Sequence, residues 1–465
     1  MLQGSISFKK DADMKNSEVI VKISSISTKG FGVGRLGSYV VLVNGGLPED
    51  ELLIKIVKAK KHYGYGKILN ILQPSPHRID DVDVACKHFG RCGGCQLLHC
   101  DYDAQLGFKK QIAIDALAKI GGIKYPPVGD TIGMDTPLKY RNKGAFPVVT
   151  SGNAYGFEIG MFEARSHNIV PVTECIIQHP AHVAILTAFR QFLNNTGLSA
   201  YDETTHSGLV RNIMIRPSFS TNDIMVIIAI NAKKTQYKDE LVRTLSSVGA
   251  TTIVIRKHTS KGDAPSDFDD YETIYGLGYI IEHIGELKFM LTAPSFFQVN
   301  PTQTKTLYDI ALQKAELDGR GVVIDAHCGV GSVSLYVAKY AKQVIGVDVV
   351  SSAINDAREN AELNDVKNAS FLCGYAEVEI PKMLSSGIMP TTIFLDPPRK
   401  GCDRVLLDAV ITNRIPKVIY ISCDPATLAR DIKILIDGGY TLKGVQPVDM
   451  FPMTTKVETI AELVL

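Results

Sequence analysis

Four short apolar runs in the last third of the chain constrain its fold most. Val322-Val323-Ile324, Val344-Ile345-Gly346-Val347, Thr392-Ile393-Phe394-Leu395 and Val418-Ile419-Tyr420 are too short for helices, and they lack the alternation of a strand wet on one face. Strands buried on both sides belong to a mainly parallel sheet covered by helices. The runs lead into polar residues: Asp325, Asp348, Asp396-Pro397-Pro398-Arg399 and Ser422-Cys423-Asp424-Pro425. In an open α/β sheet the carboxyl ends of the strands share one crevice, so Asp396 and Cys423 are expected to face the same pocket. A lone cysteine is usually a small buried hydrophobe. Cys423 instead ends a strand, before a proline and a helix expected over 426–436, where chemistry concentrates.

The chain has 465 residues, too many for one core, and two or three domains are expected. No run has the length or apolarity of a membrane span, and the start, 1–17, has no signal-peptide core. A cytoplasmic protein without a membrane partner is expected. In that reducing setting the nine cysteines are read as catalytic or metal-binding rather than as disulfides. A net charge of +1 means that any surface for a polyanion must be local.

The loop Ala326-His327-Cys328-Gly329-Val330-Gly331 follows the first of these strands and precedes a helix expected over 332–341. Its glycines let a nucleotide-like cofactor approach the backbone, and Asp348, about twenty residues on, is placed to bind ribose hydroxyls. Three features favour S-adenosylmethionine over NAD: no third glycine follows, an acid precedes the loop, and Asp396-Pro397-Pro398 lies further along the sheet. A nicotinamide dehydrogenase, with Cys423 merely structural, is the second reading of this domain.

Arg399 follows the two prolines where an aromatic residue would stack a base for methylation at an amino nitrogen, so carbon methylation is favoured. C5 of a pyrimidine is a poor nucleophile until a thiolate adds to C6. That strategy needs a cysteine, a carboxylate to hold the ring, and a base to remove the C5 proton. Cys423 and Asp396 supply the first two; Cys328 and Cys402 are rival thiols better explained as packing. For the base, the tail offers Glu458, between apolar residues in Lys456-Val457-Glu458-Thr459-Ile460.

Nearer the start, strand-like runs at 19–23, 39–43, 51–57 and 65–69 are punctuated by Gly-rich turns around Gly30, Gly32, Gly34, Gly37 and Gly45-Gly46, the pattern of a small OB-like barrel. Lys55, Lys58, Lys60, Lys61 and Lys67, interleaved with Tyr63 and Tyr65, offer cations to phosphates and ring faces to bases. Together with Gly30-Phe31-Gly32 and Pro48-Glu49-Asp50, this stretch resembles a TRAM domain, an RNA-binding module. Next come Cys86, Cys92 and Cys95 around two glycines, with Cys100 or the distant Cys175 as a fourth thiolate. Zinc and a [4Fe–4S] cluster both suit such a set. Beyond lie a helix over 101–120, strands at 214–215, 223–230 and 251–255, and an exposed loop over 260–272. Arg141, Asn142, Lys143, Arg211, Asn212 and Arg216 are read as surface by default, with an RNA path as the alternative.

Taken in order, Cys86 with Phe89 to Gln96, Ser295-Phe296-Phe297-Gln298-Val299-Asn300, the loop from Asp325 to Gly331, Asp396-Pro397-Pro398-Arg399 with Gly401, Ser422-Cys423-Asp424-Pro425 and Val457-Glu458 resemble the RNA (uracil-5-)-methyltransferases. With the TRAM-like start, the likeness is to the branch acting on 23S rRNA, and it runs from about Glu18 to the end. The resemblance implies Cys423 as nucleophile and Glu458 as base. It implies Gln298, His327, Asp348 and Asp396 at the S-adenosylmethionine and uracil sites, and a [4Fe–4S] cluster on Cys86, Cys92, Cys95 and Cys175. It departs at Asp424 (usually Asn), His327 (usually aromatic), Asp348 (usually Glu), and Met453 and Lys456 (usually His). The expected architecture is α/β: a TRAM-like barrel over 14–75, a central α/β RNA-binding domain with the cluster over 76–290, and a Rossmann-like methyltransferase domain over 291–465, acting as a monomer. A tRNA uridine methyltransferase of the same family and a non-catalytic RNA-binding iron–sulfur protein are the alternatives.

Overall fold

The computed structural model describes residues 14–79, 86–151, 156–164, 166–261 and 270–465. Residues 1–13 and most of the loop expected over 260–272 lie outside these.

Five strands, β1 (Glu18–Ile26), β2 (Phe31–Leu36), β3 (Tyr39–Asn44), β4 (Glu51–Ala59) and β5 (Tyr63–Gln73), close into a barrel in the order β1-β2-β3-β5-β4. Alternate residues point inward, and Val21, Ile23, Val41, Val43, Leu52, Ile54 and Ile56 fill the interior. One expectation is corrected. Gly32 and Gly34 are not turn residues but lie within β2. A Cβ on Gly32 would stand 2.6 Å from the Gly46 carbonyl oxygen, and one on Gly34 would stand 2.9 Å from that of Lys22. The glycines are there for close backbone approach in a narrow barrel.

A seven-stranded sheet follows, built from β6 (Gly144–Thr150), β7 (Phe157–Phe162), β8 (Ile169–Pro171), β9 (Val210–Pro217), β10 (Ile224–Ile230), β11 (Thr252–Lys257) and β12 (Asp270–Tyr275) in the order β12-β11-β10-β9-β6-β7-β8. Its interior strand β10 is buried on both faces. Val226, Ile228 and Ile230 share a core with residues of helices at Ala181–Thr196 and Lys238–Ser246, whereas Met225 and Ile227 join the core of the C-terminal unit.

That C-terminal unit is a second seven-stranded sheet: β15 (Val322–Ala326), β16 (Gln343–Asp348), β17 (Ala369–Cys373), β18 (Thr392–Leu395), β19 (Lys417–Ser422), β20 (Thr441–Val448) and β21 (Glu458–Val464), ordered β17-β16-β15-β18-β19-β21-β20. The pairings from β17 across to β19 are all parallel, and β21 and β20 form an antiparallel hairpin on the far edge. Successive residues feed opposite faces: Val323, Phe394, Ile419 and Ile421 enter one core, and Ile324, Ile393, Val418 and Tyr420 the other. The helix at Ser332–Ala338 stops short of the expected 341, where Tyr340 and Ala341 donate back to Val337 and Ala338 in tighter turns.

The packing does not follow the expected boundaries at 76 and 290. Helix α1 (Tyr102–Lys119), capped by the Asp101 carboxylate, puts Ala116 and Leu117 into the C-terminal core beside Leu428 and Ala429. Val128 and Ile132 bridge to Val445 and Val448, so residues 128–132 run along the free edge of β20. The hairpin β13 (Tyr279–Ile284) and β14 (Leu287–Thr292) contributes Ile280, Ile284, Phe289 and Leu291 to the other C-terminal core. Part of the apolar surface on these segments is covered by the later sequence, and a boundary drawn on local pattern cannot register that.

Candidate active site

Strand order reverses between β16 and β18, on either side of β15, and at such a switch point the carboxyl ends of an α/β sheet open into a crevice. Asp396 directly follows β18, and Cys423 directly follows β19, its parallel neighbour. Glu458 opens β21, which runs antiparallel to β19 with Thr459 opposite Ser422. Three reactive side chains from distant parts of the chain thus converge at one end of adjacent strands.

The turn at Cys423 is fixed locally. Ser422 Oγ donates to the Asp424 carbonyl at 3.1 Å and accepts from the Asp424 N–H at 3.1 Å. Asp424 Oδ1 caps the helix at Pro425–Asp437, accepting from Ala426 N at 2.9 Å and Thr427 N at 3.3 Å. An asparagine would cap in the same way, so the departure at Asp424 preserves the turn. Loop 397–402, after Asp396, is tied to the same helix. The Cys402 N–H donates to Asp431 at 2.9 Å, as does the Tyr420 hydroxyl at 2.6 Å. Cys402 and Cys328 are buried packing residues.

Glu458 is only 4% exposed, and its carboxyl accepts no hydrogen bond from the described residues. Burial, reinforced by Asp396 and opposed by Arg399, pushes it up to about 8. Burial and then Asp325 push Asp396 up to about 7. The Cys423 thiol rises to about 11 through burial, then Glu458 and Asp396, against the pull of Arg399. This pocket therefore holds protons at neutral pH, and the Cys423 thiol can pass its proton only to a carboxylate that has itself lost one.

At the neighbouring strand ends, Asp348 accepts from Gly329 N and from Val350 N, each at 2.9 Å, and so holds the glycine loop. Asp325 accepts from Ser334 Oγ at 2.5 Å, but its Oδ1 is buried without a partner, as is Nδ1 of His327. His327 adopts a left-handed φ of 69° and is kept neutral by burial. Orphaned polar atoms beside a glycine turn fit a polar ligand such as a nucleoside-bearing cofactor. Gln298 is buried, and its carbonyl accepts from Asn142 Nδ2 at 3.3 Å.

The middle of the chain brings Cys86, Cys92, Cys95 and Cys175 around one cavity walled by Phe89, Leu98, Met161 and Val172. Cys100 is 1% exposed and packs elsewhere, with Ile26, Leu47 and Leu97. Among the described residues, no group of three or more Cys, His, Asp or Glu side chains is arranged to hold a metal ion.

The default surface reading of the basic residues is corrected. Arg211 and Arg216 are 4% and 1% exposed. Arg216 donates to the carbonyls of Thr292 and Ser295, at 3.2 and 2.5 Å, and so braces the turn before Gln298. Arg211 stacks on Tyr201, 3.7 Å from the ring centroid. The sequence reading also missed Lys109 and Asp449, a fully buried ion pair at 2.5 Å. A lysine on a helix and an aspartate after a strand carry no local sign of burial.

Glu458 also makes stability depend on pH. Its folded value of about 8 lies above the ordinary carboxylate value, so between about pH 4.5 and 8 the native state holds a proton that the unfolded chain releases. Stability is therefore lost as pH rises through that window. Urea midpoints of wild type and Glu458→Gln, measured at pH 5.5 and 8.5, should show the variant gaining on wild type at the higher pH. Parallel curves would mean that Glu458 is ionised throughout.

A family model described as tRNA (uracil-5-)-methyltransferase matches residues 283–464, and a TRAM-domain model matches residues 12–69. An uncharacterized RNA methyltransferase of Halalkalibacterium halodurans is 40% identical over 452 residues, covering 97% of this chain and 98% of its own. One from Clostridium tetani is 40% identical over 456 residues, covering 97% of both chains. Among solved structures, the Pyrococcus abyssi tRNA (uracil-54, C5)-methyltransferase in complex with S-adenosyl-L-homocysteine shares the fold, with a TM-score of 0.75 at 24% identity over 96% of this chain and 100% of that one. On the identity and coverage of these relatives, the chain belongs to the RNA methyltransferases, with a uracil-5 methyltransferase model matching its C-terminal part and a TRAM-domain model its N-terminal end.

Proposed function

We propose that this enzyme methylates C5 of a uridine in 23S rRNA, with Cys423 as nucleophile, Glu458 as base and S-adenosylmethionine as donor. The observation that carries the reading is the convergence of Cys423, Asp396 and an unbonded, buried Glu458 at the ends of β18, β19 and β21. The Cys423 thiol gives its proton to a neighbouring carboxylate and its sulfur bonds to C6, moving the C5–C6 π electrons toward C5 and O4. C5 then takes the methyl group as the sulfonium carbon–sulfur bond breaks, leaving S-adenosylhomocysteine. Glu458 removes the C5 proton, the double bond re-forms, and the C6–sulfur bond breaks to release Cys423. Asp396 would hold the pyrimidine edge, while Gln298, His327 and Asp348 line the donor and uracil sites. The target base must leave its stack for the thiol to reach C6.

RNA would be held by the barrel, where Lys58, Lys60, Lys61 and Lys67 are exposed and the Tyr63 ring, 40% exposed, meets Tyr65 edge-on at 5.9 Å. A tRNA uridine is the second reading, favoured by the Pyrococcus abyssi enzyme's match along the whole fold. The thiols of Cys86, Cys92, Cys95 and Cys175 would hold a [4Fe–4S] cluster, and their convergence on one cavity supports that set over one with Cys100. Such a cluster would cross-link the 86–95 segment to the strand-end segment around Cys175.

With a labelled methyl donor and RNA, Cys423→Ala should neither methylate nor bond to RNA. Glu458→Gln should accumulate methylated RNA covalently attached to protein, seen as a labelled band on a denaturing gel that the double variant lacks. Full turnover by Glu458→Gln would remove Glu458 as base. Mass-spectrometric mapping of 5-methyluridine in cells with and without the gene should show loss from 23S rRNA; loss from tRNA alone would select the second reading.

Anaerobically purified protein should be brown and should contain iron and sulfide that oxygen bleaches. Serine at Cys86, Cys92, Cys95 or Cys175 should each lower the iron content, whereas Cys100→Ser should not. Stoichiometric zinc without sulfide would overturn the cluster.

A further inference from the structure

Among the described residues no side-chain bond holds Glu458, so what fixes it there is its backbone. That backbone emerges from the loop 449–457 joining β20 to β21, closed by the pair Val448 and Glu458. The loop is irregular yet almost wholly buried: Asp449 and Met450 are 0% exposed, Thr454 5% and Val457 1%. A buried loop has to find partners for its backbone polar groups inside the protein. Here they come from the cysteine-bearing segment, α1, residues 132–140 and Asn300, and the barrel adds a side-chain contact. Asp449 N donates to Ile132 O at 2.8 Å, Asn300 Nδ2 to Met450 O at 3.1 Å, and Tyr140 Oη to Pro452 O at 3.1 Å. Gln96 N and Leu97 N, beside Cys95, donate to Met453 O at 2.9 and 3.0 Å, and Gln105 Oε1 accepts from Met453 N at 3.0 Å. From the barrel, Thr28 O accepts from Thr455 Oγ1 at 2.9 Å.

The anchor is at the loop's start. Lys109 Nζ, fully buried on α1, donates to Asp449 Oδ1 at 2.5 Å and to Phe451 O at 3.1 Å, while Tyr102 Oη donates to Asp449 Oδ2 at 3.0 Å. A buried ion pair adds little net stability over an apolar pair of the same volume, and it is best justified where one register must be chosen over others.

We propose that residues 449–457 are the positioning element for Glu458, with Lys109, Tyr102 and Asp449 as its anchor. The Gln96, Leu97 and Thr455 contacts are then the route by which the thiol-lined lobe and the RNA-binding barrel act on proton removal. The inference rests on Glu458 as the base. Positioning of that kind affects one step only. Addition and methyl transfer use Cys423, while release of the C5 proton uses Glu458, and misplacing a reacting group by a fraction of an ångström to an ångström costs roughly ten- to a hundredfold in rate.

The two steps can be read separately in one single-turnover reaction of the full-length protein, using RNA tritiated at uridine C5 and a donor carrying a ¹⁴C-methyl group. Wild type should release tritium in step with methyl transfer. Tyr102→Phe and Thr455→Val, mild enough to fold, and Lys109→Met should transfer methyl near the wild-type rate while tritium release lags roughly tenfold. Melting temperature and circular dichroism establish folding for each variant, and should Lys109→Met not fold, the other two decide. Tritium release in step with methyl transfer in folded Tyr102→Phe and Thr455→Val would overturn the proposal, as would equal slowing of both labels. Glu458→Gln in the same assay keeps the two claims apart: prompt tritium release there dismisses the base itself, whereas a stalled Glu458→Gln beside unaffected loop variants dismisses only the positioning loop.

Discussion

A carboxyl group almost wholly shielded from water and without a hydrogen bond is an unstable arrangement, and the site at the end of the C-terminal sheet is organised around one. Burial and Asp396 oppose the charge of Glu458 more strongly than Arg399 favours it. The same surroundings oppose the Cys423 thiolate. Both groups therefore favour their protonated forms at neutral pH. What the fold must supply is a frame stiff enough to hold these groups together against their preference for solvent. Parallel strands buried on both faces, with alternate residues locked into two opposed cores, provide that frame.

Arg399 is the cation that offsets both groups, and its loop is tied down at Gly401 and Cys402. Gly401 has a φ of 80°, and a Cβ there would stand 2.5 Å from Arg430 Nη2 and 2.6 Å from Asp431 Oδ2. Asp431 is fully buried and joins the loop to Tyr420 in the strand that delivers Cys423. The acid after β18 and the thiol after β19 are thus linked by a network that does not touch the reaction, so their relative placement survives motion in the exposed side chains nearby.

The catalytic sheet was the most legible part of the sequence because double burial leaves an unbroken apolar signature, and the polar residue ending each run could be read directly. The barrel was nearly as clear, except that glycines admitting close backbone approach look like glycines making turns. Arg216, Lys109 and Asp449 were opaque for one reason: each is buried by a partner tens or hundreds of residues away, and a charged side chain in an amphipathic stretch reads as solvated. Met453 illustrates the limit well. It stands where the family pattern has a histidine, and only the fold shows its backbone joined to Gln96, Leu97 and Gln105, with its sulfur accepting from Gln105 Nε2 at 3.4 Å.

The bond between Thr455 and Thr28 spans 427 residues of sequence, and the Lys109–Asp449 pair spans 340. Such closures are slow to form, because loop entropy opposes them until most of the chain is in place. During synthesis the barrel and the cysteine-bearing lobe emerge first, and the backbone N–H groups of Gln96 and Leu97 lack their Met453 acceptor until residue 453 leaves the ribosome. That side of the lobe is therefore completed only by the last part of the chain. The order of the chain makes the last turn before Glu458 the piece that shuts the molecule.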